Sequence, residues 1–289
     1  MVGRWYTSRG ESQVGATGAT SRYALRSELQ GLAAIAFVAI TRVVSRALQR
    51  CELSHLQRRP INIALARRQH AGYEQALREA GCEVRQLAEQ PDQPDSVFVE
   101  DMAVVLDEVA VITRPGAPSR RGEVASVAAA LEGLRESVHI DPPGTLDGGD
   151  VLRLGRTLYV GISARSSSEG IAQLRRLLAP FKYRVVAVPL RGCLHLKSAV
   201  TQVAPGRVLL NPDWVDAGCF PGWDVVTVDA AEPHAANALR IGGDVIYPAS
   251  CRRTAEKLEA LNIVVRSVDM SEMEKAEGAV TCCSVILDG

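Results

Sequence analysis

Short apolar segments recur at a regular spacing along this chain from residue 37 onward. Each unit contains a short alternating segment, typical of a half-buried strand, that ends at an acidic residue, a proline or a turn. The five segments follow one another at intervals of about 40 to 54 residues and lie at 83–87, 137–140, 183–188, 224–228 and 264–268. This regularity predicts an internal repeat.

A polar loop and a second apolar segment accompany each of these strands. The second segments lie at 100–104, 148–152, 196–200, 237–241 and 282–286. Helical periods occur in three of the units, at 123–134, 169–178 and 253–261, and another precedes the first alternating segment, at 67–80. The repeat is therefore mainly strand, loop, strand and helix. The apolar run 32–40 is predicted to be the first strand of the chain.

Five such units in one chain predict a closed ring, arranged like the blades of a propeller. Rotation about one axis would bring the equivalent polar loops together. The residues at those loop positions are Asp101, Asp147, His195, Asn237 and Cys282. Any one of them alone is an ordinary polar loop residue, but two carboxylates, an imidazole, an amide and a thiol in one place form a catalytic set. The sequence therefore predicts an α/β fold with a site on its axis.

Composition restricts the classes of function. With 47% hydrophobic residues among 289, the chain can bury a substantial core. Its 33 basic side chains balance 33 acidic ones, so we expect no binding of nucleic acid or of an anionic membrane surface. The run 32–40 is too short to span a membrane. A small-molecule substrate is the partner that remains.

The first 34 residues differ from the rest of the chain. They contain glycine, serine, threonine and arginine without a sustained apolar period, which predicts an unstructured N-terminal extension before a single catalytic domain over residues 35–289. A targeting peptide is the alternative, because this segment bears arginines and few acids. The seven cysteines are scattered and lack the paired spacing of a zinc site, which favours a reduced, cytoplasmic setting.

Cys282 is the candidate nucleophile because it lies in a loop that opens the final strand. Its neighbour Cys283 is expected to face away from the axis, since successive strand residues point in opposite directions. A cysteine attacks only as its thiolate, which a nearby histidine can stabilise. His195 is flanked by leucines in an apparent strand, a setting typical of a core histidine, but its place in the repeat favours catalysis.

An acidic run indicates a cationic substrate. Asp95, Glu100 and Asp101 crowd three carboxylates around an apolar strand, which is costly unless a cation joins them. A guanidinium suits several carboxylates at once, because it is planar, always charged and offers five donors. Metal binding is the competing interpretation, but no phosphate-binding glycine loop accompanies the run. Arg120 and Arg165, each between a strand and a helix, could form a fork for a substrate carboxylate.

Five strings of residues, taken in this order, resemble the dimethylarginine dimethylaminohydrolase family. They are DSVFVED at 95–101, ITRPGAPSRR at 112–121, TLDGGDV at 145–151, LHLK at 194–197 and TCCS at 281–284. The resemblance runs from about residue 37 to the C-terminus. It implies the pentein fold, a five-bladed ββαβ propeller. It also implies hydrolysis of asymmetric dimethylarginine and monomethylarginine to citrulline and dimethylamine or methylamine, with no metal and no organic cofactor.

The resemblance implies catalytic roles for three residues and guanidinium binding for two more. Cys282 would be the nucleophile, and His195 would be the general acid and base. Asp147 would support both the guanidinium and the histidine, and Asp101, together with Glu100, would hold the guanidinium.

The remaining candidates would bind the amino-acid end of the substrate. Asp95 and the backbone carbonyl of Ala276 would take its ammonium group, and Arg120 and Arg165 its carboxylate. The family also has a mobile loop that covers the substrate. Residues 48–59 align poorly with that loop, so the choice of contact residue between two leucines, at positions 53 and 56, stays open.

Three alternatives stay open at this point. A deiminase of the same superfamily, or a citrulline hydrolase, would share the cysteine, the histidine and the acidic residues. A non-catalytic binding module would not require both Cys282 and His195. A zinc-dependent hydrolase would lose its activity on chelation, which we do not expect. The protein could be a monomer or a homodimer.

Overall fold

The computed structural model describes residues 37–288, and the predicted extension over residues 1–34 lies outside this range. The described chain contains five three-stranded sheets, which we call blades. The strands are β1 (Phe37–Arg42), β2 (Cys82–Leu87), β3 (Ala103–Val105), β4 (Val109–Ile112), β5 (Glu136–His139), β6 (Val151–Leu154), β7 (Thr157–Ile162), β8 (Arg184–Pro189), β9 (Val200–Ala204), β10 (Arg207–Leu210), β11 (Asp224–Thr227), β12 (Leu239–Ile241), β13 (Asp244–Pro248), β14 (Val264–Val268) and β15 (Val285–Asp288).

Every blade has the same topology. Its first strand pairs antiparallel with the second, and the second pairs parallel with the third. Blade 1 consists of β15, β1 and β2, whereas blades 2 to 5 are consecutive triplets from β3 to β14. The last strand therefore joins the first two, and this pairing closes the ring.

Helices connect the second and third strands in four blades. They are α1 (Ile63–Glu79), α2 (Val124–Leu131), α3 (Ser168–Leu178) and, in blade 5, α5 (Arg252–Ala260). Blade 4 has only the 3-10 helix Ala217–Cys219 at this place, which agrees with the absence of a helical period there. Two short helices lie elsewhere: α4 (Leu196–Ala199) precedes β9, and α6 (Ser271–Glu274) follows β14.

Local sequence sets the ends of these helices. Asn62 directly precedes α1, and its side chain accepts the N–H of Leu65. Ser167 directly precedes α3, and its side chain accepts the N–H of Gly170. Each side chain thus satisfies a backbone donor in the first turn of its helix. The helix predicted over 123–134 ends at Leu131, because Gly133 follows with a φ of 75° in the left-handed region that glycine tolerates.

The middle strands of blades 2 to 5 were missing from the repeat deduced from the sequence, whereas that of blade 1, β1, overlaps the predicted first strand at 32–40. The middle strands β4 and β13 are buried along all or nearly all of their length, with burial on both faces. Such strands are continuous apolar runs without alternation, so their period does not identify them. His195 also differs from the expectation, because it precedes helix α4 and is not part of a strand.

The first strands of the blades surround the axis. Those of neighbouring blades contact one another, β15 against β3 and β9 against both β6 and β12. All five contribute side chains to an axial channel of about 230 Å³. Separate apolar clusters fill the space between sheets and helices, for example Leu158, Leu174 and Leu178 between blade 3 and α3, all fully buried. Within residues 37–288, no helix has the length and apolar character needed to cross a membrane.

Candidate active site

The loops that precede the first strands meet at one end of the axial channel. There they line a narrow pocket together with residues of two other loops. Seven of the nine residues predicted from the sequence line this pocket: Asp95, Asp101, Arg120, Arg165, His195, Ala276 and Cys282. Asp147 is fully buried behind them, in contact with His195. The ring thus brings together side chains from four blades, whereas the repeat predicted a contribution from all five.

His195 is held between carboxylates. Its Nε2 lies 3.1 Å from Oδ2 of Asp147, whose Oδ1 accepts the N–H of Gly116 at 2.8 Å. Burial opposes protonation of the imidazole, but the charges of Asp101 and Asp147 outweigh burial and raise the pKa of His195 to about 9. At neutral pH the side chain is therefore an imidazolium.

Gly149 allows this close packing. A Cβ atom at position 149 would lie 2.6 Å from Nδ1 of His195 and 2.8 Å from Oδ1 of Asp101, so a side chain would displace one of the two groups. The N–H of Gly149 also donates to Oδ1 of Asp101 at 2.9 Å. The second glycine of the Gly-Gly-Asp motif is thus explained by the site.

Asp101 is ionised and firmly bound. Its Oδ2 accepts from Nη1 of Arg120 at 2.5 Å. Burial works against ionisation of Asp101, but the charges of His195 and Arg120 outweigh it and lower its pKa to about 2. A carboxylate in this position favours a cationic ligand over an anionic one.

Cys282 is partly exposed to the pocket, whereas Cys283 is fully buried in the apolar core. Burial, with the nearby charges of Glu100 and Asp101, raises the pKa of the Cys282 thiol to about 12. The thiol is therefore protonated when the pocket holds no cation.

Glu100 differs from the expectation, because it does not line the pocket. Its Oε1 pairs with Nζ of Lys197 at 2.6 Å, and its Oε2 accepts from the hydroxyl of Thr281 at 2.9 Å, on the channel side of the loops. Its N–H donates to the carbonyl of Cys282 at 3.2 Å. Glu100 thus supports the Cys282 loop from behind.

The expected fork of two arginines is incomplete. Arg120 is 4% exposed, and its guanidinium donates to Asp101, to Glu123 and to the carbonyl oxygens of Asp95 and Phe98. Most of its donors are therefore satisfied within the protein.

Arg165 is freer than Arg120. Its Nη1 lies 3.9 Å from Oδ2 of Asp147, and its Nη2 donates to the hydroxyl of Ser54 at 3.2 Å. Of the two guanidinium groups that line the pocket, that of Arg165 is the more available to a ligand.

Asn237, the loop residue of blade 5, makes only protein contacts. Its amide nitrogen donates to the carbonyl of Lys197 at 3.0 Å and to the hydroxyl of Thr281 at 2.9 Å. Its amide oxygen accepts the N–H of Thr281 at 3.1 Å. Asn237 therefore ties the loop of His195 to the loop of Cys282.

A segment that we call the covering loop, residues 52–56, contributes Glu52 to the pocket. The backbone N–H of Glu52 donates to both carboxylate oxygens of Asp95, at 3.2 and 3.1 Å. Of the two leucines left open by the sequence, Leu53 packs against the apolar core and Leu56 faces a neighbouring cavity. Glu277, which also lines the pocket, holds this loop from the other side. No sequence pattern marked either glutamate.

Asp101, Asp147 and His195 offer three atoms within 4.8 Å of one another, a spacing that could hold a metal ion. Both carboxylates, however, already accept backbone N–H groups, and Asp101 is paired with Arg120. The absence of a required metal stays a prediction.

Comparison with known proteins identifies the family. A family model described as "N,N dimethylarginine dimethylhydrolase, eukaryotic" matches residues 48–216. A Streptomyces coelicolor protein named N(G),N(G)-dimethylarginine dimethylaminohydrolase is 42% identical over 252 residues, which cover 86% of this chain and 96% of that protein. This chain belongs to the dimethylarginine dimethylaminohydrolase family. A Pseudomonas aeruginosa dimethylarginine dimethylaminohydrolase is 34% identical over 224 residues, covering 77% of this chain and 88% of the relative.

Solved structures agree with this assignment. A mutant of the dimethylarginine dimethylaminohydrolase from Pseudomonas aeruginosa, complexed with citrulline, superposes with a TM-score of 0.83 at 32% identity, covering 86% of this chain and 98% of that one. The N-terminal domain of ArgZ, an arginine dihydrolase from cyanobacteria, shares the fold with a TM-score of 0.77 at 21% identity, covering 86% of this chain and 97% of that one. The predicted pentein propeller is confirmed.

Proposed function

We propose that this chain hydrolyses asymmetric dimethylarginine and monomethylarginine to citrulline and dimethylamine or methylamine, with Cys282 as the nucleophile. One observation carries the proposal: a thiol, an imidazole and several carboxylates share one narrow pocket. Membership of the family supplies the substrate class. A guanidinium is the cation that matches this acidic pocket.

Binding of the substrate would activate the thiol. Burial and the charges of Glu100 and Asp101 keep Cys282 protonated. A guanidinium placed beside Asp101 would offset those charges and lower the free energy of the thiolate. The nucleophile would then form only when a cation is bound, and the empty enzyme would keep an unreactive thiol.

The chemical steps follow from these protonation states. The thiolate of Cys282 attacks the guanidinium carbon, and the imidazolium of His195 gives its proton to the alkylated nitrogen, which leaves as a neutral amine. The product is a covalent thiouronium on Cys282. His195, now neutral, takes a proton from water, and the hydroxide adds to the same carbon. The C–S bond then breaks, and the hydroxyl proton of the tetrahedral intermediate passes to the leaving sulfur, which releases citrulline and restores the thiol of Cys282 beside the imidazolium. Asp147 holds the imidazole throughout.

The amino-acid end of the substrate would lie towards the covering loop. The carboxylate of Asp95 and the carbonyl of Ala276 would accept the ammonium group, and Arg165, with a remaining donor of Arg120, would bind the carboxylate. This arrangement is supported by the lining of one pocket by all four residues.

The setting and assembly are proposals as well. All seven cysteines are unpaired, which supports a reduced, cytoplasmic location. The protein would be a monomer or a homodimer, which light scattering would distinguish.

The test is to incubate the protein with asymmetric dimethylarginine and with arginine separately, and to follow citrulline, dimethylamine and ammonia. We expect citrulline and dimethylamine in equal amounts from the first substrate. Ammonia from arginine without turnover of dimethylarginine would instead indicate a deiminase. Mass spectrometry of protein trapped during turnover should locate the adduct on the peptide that contains Cys282. Chelation should leave the rate unchanged.

A further inference from the structure

Asp150 is a buried carboxylate that the mechanism above does not use. It is the last residue of the Gly-Gly-Asp motif and is 0% exposed. Its Oδ1 accepts the N–H of Leu196, the residue after His195, at 3.1 Å. Its Oδ2 accepts from the hydroxyls of Ser163 and Ser166, at 2.5 and 2.7 Å.

The two serines extend these contacts to the other residues of the pocket. The hydroxyl oxygen of Ser163 accepts the N–H of Arg165 at 3.0 Å. The hydroxyl oxygen of Ser166 accepts the N–H of Asp147 at 3.2 Å. Asp150 thus bonds directly to the backbone next to His195. Through one serine hydroxyl each, it is also connected to the backbone of Arg165 and of Asp147.

A glycine on the neighbouring strand makes room for this group. A Cβ atom at Gly161, on the neighbouring strand β7, would lie 2.6 Å from Oδ1 of Asp150. The titratable groups that face Asp150 are His195, Asp147 and the thiol of Cys193. Those that face His195 are Asp101, Asp147 and Asp150.

We propose that Asp150 is a positioning residue for the hydrolysis, which holds the backbone around His195, Asp147 and Arg165 and whose negative charge keeps the imidazole protonated. The proposal rests on the proposed function, since it assigns His195 the role of general acid. Burial raises the pKa of Asp150 to about 6, against the opposing charge of His195 and the serine hydrogen bonds. Asp150 ionises at about pH 6, and His195 loses its proton at about pH 9. Between these values an ionised Asp150 therefore faces a protonated His195.

The test is Asp150→Asn, which keeps the shape and removes the charge. We expect kcat to fall about tenfold to a hundredfold, because small displacements of catalytic groups have effects of this size. KM should change less than kcat. The basic limb of the kcat/KM profile should move to lower pH, since the imidazolium has lost one stabilising charge. A purely structural role would lower the melting temperature without moving that limb.

Glu74→Gln is the matched control. Glu74 is also a buried carboxylate, bonded to Thr41 and Gln86, and lies outside the pocket. Its variant should lose stability and keep both kcat and the pH profile. If Asp150→Asn keeps the wild-type profile and a kcat within twofold, or changes only the melting temperature as the control does, the positioning role is wrong.

A second variant covers the case in which Asp150→Asn does not fold. Ser166→Ala removes one hydrogen bond to Asp150 and the link to Asp147. It should lower kcat several-fold, and an unchanged kcat would contradict the proposal. Wild-type turnover of dimethylarginine is measured in the same series, so a failure of the proposed function is recognised separately.

Discussion

The axial loops and the covering loop are held in place by different kinds of contact. The Cys282 loop is fixed by buried hydrogen bonds: Asn237 and Glu100 bind both the backbone and the hydroxyl of this segment. The covering loop is held at the surface, where the carboxylate of Glu277 accepts the N–H groups of three successive residues, Ser54 to Leu56, at 2.6 to 3.0 Å.

The difference separates the axial loops, which hold the reacting groups, from the covering loop, which affects access of the substrate. A buried hydrogen-bonding group left without its partner costs about 1–3 kcal/mol, so the axial loops keep their geometry. Contacts near the surface cost less to lose because water replaces the lost partner, so we expect changes in the Glu277 contacts to disturb the axial loops little. Changes in the axial loops should therefore reduce kcat, and changes in the covering loop should mainly alter KM.

The largest effect is expected for Cys282→Ser. Turnover of dimethylarginine should fall by about a thousandfold or more, because removal of a nucleophile has effects of this order. Substrate affinity, measured by calorimetry, should stay within about tenfold, since the charges that bind the substrate are separate from the thiol. Cys82→Ala is the control, because Cys82 is buried in β2 and outside the pocket. Wild-type-like turnover in Cys282→Ser would exclude the covalent mechanism.

Asn237→Ala tests the buried support of the axial loops. We expect kcat to fall about tenfold to a hundredfold, because the loops of His195 and Cys282 lose their connection. The free energy of unfolding should drop by about 1–3 kcal/mol. Asn211→Ala is a matched control: this buried amide also bonds to backbone, at Pro233 and Asp213, but outside the pocket. An equal loss of kcat in both variants would show a general effect of destabilisation.

The pH dependence of kcat/KM should reflect the titration of His195 at the axis and not a change in the covering loop. The pKa of His195 is raised to about 9, so kcat/KM should decrease about tenfold per pH unit above that value as the general acid loses its proton. The same shift stabilises the fold: the contribution is complete below the ordinary value of about 6.5 and is lost as the pH rises through about 9. Denaturant unfolding across this range would measure it, and a pH-independent kcat/KM between pH 8 and 10 would be inconsistent with a histidine acid.

The smallest effect is expected for Glu277→Gln. KM should rise several-fold with kcat nearly unchanged, because a neutral amide accepts hydrogen bonds from the covering loop less strongly. Amide hydrogen exchange at Ser54 to Leu56 should be faster. Glu274→Gln serves as the control, since Glu274 is half-buried, lies outside the pocket, and its carboxylate bonds only to Ser250 among the described contacts. A large loss of kcat would instead place Glu277 among the groups that act on the reaction.

The sequence predicted the outer strands, the helices and the loop residues near the axis, because each depends on local period or on its place in the repeat. The middle strands of blades 2 to 5 were not predicted, since strands such as β4 are buried on both faces and show no alternation. The positions of Glu100 and Glu277 could not be predicted either. Each depends on contacts with residues far away in the chain, such as Glu100 with Thr281 and Glu277 with Ser54, and such contacts leave no local pattern.

The closure of blade 1 also determines when the catalytic residues come together. Cys282 lies just before β15, and β15 reaches its place only by pairing with β1, where Asp288 lies opposite Phe37. Because closing so long a loop costs entropy, we expect this pairing to form after the local hairpins and helices. In a chain in which only blades 2 to 5 have assembled, the acidic residues and the imidazole would be in place, but Cys282 would not yet lie beside them. We therefore expect catalytic activity to arise only when the ring closes and places Cys282 beside His195.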